Sequence, residues 1–86
     1  MSKLEDIRAK IDEVDEQLAE LFAERINLVK DVSKLKHEQD LPIEDLKREK
    51  EVLEKHSKRF GNPQEKAAYE RFQRELIAIS KDLQKL

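Results

Sequence analysis

The chain has 86 residues, 44% of them charged, with one Gly, two Pro and no Cys. That length allows one domain over residues 1–86 and excludes disulfide staples, Cys-based zinc sites and any Gly-rich phosphate loop. The 18 Lys and Arg against 20 Asp and Glu leave a net charge of −2, without the basic excess that marks nucleic-acid binders.

The first predicted helix starts after Ser2, a capping residue, with Glu5 three positions on as its capping-box partner. Its seam reads Ile7, Ile11, Val14, Leu18, Leu21, Arg25, Leu28, Val32, Leu35, in alternating steps of four and three. This is a heptad rhythm. A second row, Arg8, Asp15, Phe22, Val29, Lys36, lies beside it. About 35 residues make a helix roughly 50 Å long, whereas a compact domain of this size has a radius of gyration of about 12 Å. The helix therefore overshoots any globule the chain makes alone, and its seam predicts cover from a second copy.

Pro42 ends this helix or its trailing loop, and Asp40 and Asp45 offer caps around it. A short second helix carries Leu46, Glu49, Leu53, His56 and Phe60 on one stripe. Gly61-Asn62-Pro63 is a stop signal, with Gly and Asn able to take the left-handed conformation. A medium third helix carries Tyr69, Phe72, Leu76, Ile79, Leu83 and Leu86, flanked by Gln73, Ile77, Ser80 and Gln84. No strand signal appears, so the expected class is all-α. No apolar run approaches the ~20 residues of a membrane span, and the N-terminus has no signal-peptide stretch. The expected setting is the cytoplasm, with neither membrane nor nucleic acid as a partner.

Three charged residues stand in apolar slots: Arg25 in the long seam, Glu49 in the second stripe, Lys36 at the end of the row beside the seam. An unpaired buried charge costs several kcal/mol, so each needs a partner. From periodicity alone two readings are open. Arg25 and Glu49 pair with each other or fix helix register, or they line a polar pocket inside a helical bundle. Arg25 and Lys36 are about three turns apart, roughly 16 Å along one face, and bracket a small anion. Arg8 and Arg25 are about 26 Å apart, too far to grip one small molecule from the same helix. Arg8 can serve such a site only from the partner of an antiparallel dimer. With Arg48, and Ser80 and Gln84 one turn apart, the set suits a ligand with two carboxylates and a hydroxyl, because guanidinium forks match carboxylates. His37 and His56 lack ligand spacing, His37 reads as exposed and His56 as a half-buried stripe residue. No His is placed in sequence to activate Ser80. The chemistry, if any, needs no nucleophile, metal or cofactor.

The segments Ile7-Arg8-Ala9-Lys10-Ile11-Asp12-Glu13-Val14-Asp15, Ala23-Glu24-Arg25, Val32-Ser33-Lys34-Leu35-Lys36, Pro42-Ile43-Glu44-Asp45-Leu46-Lys47-Arg48-Glu49 and Ser80-Lys81-Asp82-Leu83-Gln84 together resemble the all-helical chorismate mutases of the AroQ class. The likeness runs from about residue 4 to 86, with Ser33 standing where many relatives have Gly or Ala. It implies an intertwined homodimer of three-helix chains with two equivalent sites. It implies the cofactor-free Claisen rearrangement of chorismate to prephenate, on the route to phenylalanine and tyrosine. By position, Arg25 and the partner chain's Arg8 would hold the substrate carboxylates, with Arg48 contributing. Lys36 and Gln84 would donate to the ether oxygen, and Glu49 would accept from the ring hydroxyl. Asp45 and Ser80 would line the site. The rivals are an isochorismate pyruvate lyase, a mutase for 4-amino-4-deoxychorismate, and a non-catalytic helical dimerisation module. Feedback inhibition through this chain alone is not expected, since 86 residues leave no room for a second, regulatory domain.

Overall fold

A computed structural model describes residues 2–86 and contains three helices: α1 (Lys3–Glu38), α2 (Leu46–Ser57) and α3 (Pro63–Gln84). These are the long, short and medium helices that the periodicity predicts. Ser2 caps α1 by accepting from the Glu5 amide at 3.1 Å. Asp45 caps α2 through the Arg48 amide at 3.0 Å. The Gly61-Asn62-Pro63 break works differently from the sequence expectation. Neither Gly61 nor Asn62 is left-handed; Asn62 caps the next helix, taking the Gln64 and Glu65 amides at 2.8 and 3.2 Å. Pro63 then opens α3, where its missing N–H costs nothing. The one positive φ among the described residues is at Asp40 (55°), where the chain turns out of α1. Asp tolerates this conformation better than most residues.

α3 packs on both α1 and α2, whereas α1 and α2 do not pack on each other. The molecule measures 56 × 27 × 15 Å, with a radius of gyration of 16.4 Å. The longest dimension is the length of α1. The shortest is little more than one helix diameter, so the three helices lie nearly in one layer. A single layer has no inside. Among the described residues no apolar side chain is buried, and Ile7, Ile11, Val14, Leu18, Leu21, Leu28, Val32 and Leu35 are all exposed along α1. The accessible surface of 7503 Å² exceeds by roughly 2,000 Å² that of a compact monomer of this mass. The turn between α2 and α3 has its own aromatic cluster: Phe60 stacks on Tyr69 at 5.0 Å between centroids, and Tyr69 meets Phe72 at 6.1 Å. No helix among the described residues is long and apolar enough to cross a membrane.

Candidate active site

Where the second half of α1 faces α2 and α3, the open layer folds around a cavity of about 420 Å³. That falls within the usual range for small-molecule pockets. α1 supplies Arg25 and Lys36 to it, the turn before α2 supplies Asp45, α2 supplies Arg48 and Glu49, and α3 supplies Ser80 and Gln84. Of the eight residues singled out from the sequence, these seven converge; Arg8 lies away on the exposed first half of α1. The eleven-residue step from Arg25 to Lys36 is close to three helical turns, which is why both side chains reach one cavity.

Buried polar groups must find partners, and the partners here fix each donor. The Arg25 guanidinium donates to Ser80 Oγ and, at 3.5 Å, to the Leu76 carbonyl. Ser80 Oγ in turn donates to the same carbonyl at 2.8 Å. Lys36 Nζ donates to the Ile43 carbonyl at 2.7 Å, tying α1 to the turn before α2. Gln84 is 7% exposed; its Nε2 donates to the Ser80 carbonyl at 3.2 Å, and its Oε1 is buried without a hydrogen-bond partner. The opposite amide orientation would set two carbonyl oxygens face to face. An ammonium has three N–H donors and a primary amide two. After its backbone bond, each therefore keeps donor capacity for something in the cavity.

Arg25 and Glu49 do not pair with each other. Among the described residues Glu49 forms its ion pair with Lys81, which also reaches Glu44 at 3.2 Å. The hydrogen bond that the Lys81 ammonium donates to Glu49 is the main reason it titrates above its ordinary 10.5; desolvation acts the other way, and Glu44 adds a smaller upward push. The sequence places Lys81 in the Ser80–Gln84 segment but does not single it out for the site, although its signal is present: it lies one turn from both Ile77 and Gln84 on the face that carries the site. Gln73, buried and accepting from the Tyr69 hydroxyl at 2.9 Å, is a second cavity residue that the sequence listed only as a flank. Asp45 and Arg48 sit at the exposed rim, and the Asp45 carboxylate is engaged as the α2 cap. Ser33 ties the end of α3 to α1 by donating to the Gln84 carbonyl at 3.4 Å. His37 is exposed, as expected; His56 lines the cavity but is exposed rather than half-buried. No group of three or more His, Asp or Glu side chains among the described residues is placed to hold a metal ion.

The cavity thus gathers four cations (Arg25, Lys36, Arg48 and Lys81, the last paired with Glu49), the fixed amide of Gln84 and two carboxylates, Asp45 and Glu49. The sequence profile of the chorismate mutase type II family matches residues 7–85, nearly the whole chain. The chain belongs to that family. A chorismate mutase from Methanocaldococcus jannaschii is 44% identical over 55 residues, covering 64% of this chain and 56% of that protein. The T-protein of Haemophilus influenzae is 44% identical over 54 residues, 63% of this chain and 14% of its own length. The bifunctional chorismate mutase/prephenate dehydratase of Aquifex aeolicus is 32% identical over 89 residues, 99% of this chain and 25% of its own. The chain spans about half the length of the first of these relatives and a quarter or less of the other two. The family match runs through all three helices, so it includes every element that contributes to the cavity.

Proposed function

We propose that this chain is a chorismate mutase, converting chorismate to prephenate in aromatic amino acid biosynthesis, as an intertwined homodimer with two sites. The reading is carried by one observation: the polar residues that break the apolar periodicity converge on one cavity with their donors already fixed. Family membership and the names of the relatives support the same reaction.

Chorismate is a dianion with an enol ether. As the ether C–O bond breaks and the new C–C bond forms, negative charge grows on the ether oxygen. Lys36 and Gln84, each held by a backbone carbonyl, donate to that oxygen and stabilise the transition state more than the ground state. Arg25 and Arg48 bind carboxylates and hold the flexible substrate in its compact, reactive shape. Ser80 orients the Arg25 guanidinium, and Glu49 accepts from the ring hydroxyl. No proton is transferred, so the site needs no acid–base pair and no cofactor. Arg8 completes the site from the partner chain, which packs its seam against the exposed seam of α1. The apolar row on α1 and the surface excess of roughly 2,000 Å², a size typical of obligate dimers, both support that arrangement.

The test is direct. Purified protein mixed with chorismate should consume it with matching appearance of prephenate. No turnover at micromolar enzyme overturns the reading.

A further inference from the structure

Glu49 is the carboxylate through which the proposed mutase site meets the ring substituent, and its nearest charged neighbour is Lys81 of the same chain. Glu49 and Lys81 are both partly covered, with side-chain exposures of 17% and 27%. The Lys81 ammonium engages Oε1 of Glu49 and Oε1 of Glu44, which stands on the solvent side. Burial lowers the pKa of an ammonium, but here the two carboxylates outweigh it. The lysine therefore stays charged at neutral pH. A carboxylate already paired with a fixed cation still accepts a hydrogen bond at its other oxygen. It is a poor counter-ion for a second cation, because its charge is spent on the first and the two cations repel.

From this the geometry points to Lys81 as a specificity-determining residue: by occupying Glu49, it makes the site accept a ring hydroxyl and reject a ring ammonium. The two ligands meant are chorismate and 4-amino-4-deoxychorismate. Both carry the same breaking C–O bond and the same forming C–C bond, so the rearrangement is identical and only the substituent facing Glu49 differs. This inference rests on the proposed mutase activity and adds to it the selection between those two substrates. Three further cations, Arg25, Lys36 and Arg48, line the same cavity. Removing Lys81 leaves the carboxylate-binding set intact and frees the Glu49 charge at the cavity, together with that of Glu44 on the solvent side.

The experiment compares kcat/KM for the two compounds at neutral pH in wild-type protein, Lys81→Met, Lys81→Gln and Lys81→Arg, with helix content and melting checked for each. Wild type should prefer the hydroxyl compound. Lys81→Met and Lys81→Gln should shift the ratio toward the amine by roughly tenfold, the effect of one neighbouring charge. Lys81→Arg should restore it. A lysine that merely buttresses the fold would lower both values together and leave the ratio unchanged, and that result overturns the proposal. So does a wild-type preference for the amine. Absence of turnover with either compound instead removes the mutase reading on which the proposal stands.

Discussion

The two halves of α1 carry the same apolar seam and meet different surroundings. From Arg25 onward the helix lies beside α3 and the turn before α2, and its polar residues Arg25, Ser33 and Lys36 are tied to neighbours by hydrogen bonds. Through Ile7, Ile11 and Val14 the helix meets no other element, and these side chains are more than half exposed. In the covered half, packing explains why apolar positions can be given to charge: the charges have a cavity to serve. In the bare half the seam positions Ile7, Ile11, Val14, Leu18 and Leu21 are all apolar and all exposed. A single layer of helices supplies a site and leaves its apolar seam exposed.

The largest expected effect tests whether the two halves belong to one machine. Arg25→Ala and Arg8→Ala should each lower kcat/KM by roughly 10³-fold, the scale of losing a charged substrate anchor. Mixing the two variants should recover activity, because each mixed dimer holds one site with both arginines. With subunit exchange verified by mass, failure to recover would place Arg8 outside the site. Next in size is the seam itself. Ile11→Ala should cost about 2–5 kcal/mol in urea unfolding if a partner buries that side chain. A truly solvent-facing position changes by no more than about 0.5 kcal/mol, and that result would leave the bare half bare. The covered half is sharpened by Gln84→Glu. A protonated carboxyl can donate to the ether oxygen and a carboxylate cannot, so activity should fall about tenfold or more between pH 5 and pH 8. A flat profile would remove Gln84 from the donor pair.

The smallest effect concerns the ion pair that the sequence reading missed. Lys81 titrates above 10.5 in the folded chain because of Glu49 and then Glu44. A group raised on folding stabilises fully below its unfolded pKa, and that contribution is lost as the pH rises through the folded value. Lys81→Met should therefore narrow the gap in melting temperature between neutral pH and pH 11. An unchanged gap would mean that solvent screens the pair completely.

Most of the fold was legible because helical chains announce themselves locally. Ser2, Asp45 and Asn62 cap helices through their own side chains, and the three-and-four spacing marks the helices themselves. Gly61-Asn62-Pro63 starts a helix rather than stopping one: α2 already ends at Ser57, and Asn62 caps the incoming α3. The site was legible to the extent that charge broke apolar rhythm. Arg25, Lys36 and Glu49 stood out on that ground, and the cavity collects all three. Lys81 escaped notice because a lysine among so many lysines looks like a solvated face. Its role depends on where α2 places Glu49, a distance across helices that no spacing along the chain encodes. Asp45, by contrast, carried a local signal for a cap, and that job engages its carboxylate.

The uninterrupted run of α1 from Lys3 to Glu38 has an arithmetical consequence. Each residue turns a helix by about 100° and advances it by about 1.5 Å. One residue inserted between Arg25 and Lys36 would swing Lys36 more than a quarter turn from its cavity while hardly changing its height. Two in-phase side chains on one rigid rod thus fix the number of residues between them. Along this stretch the chain can change letters on its solvent side, but it cannot change its count.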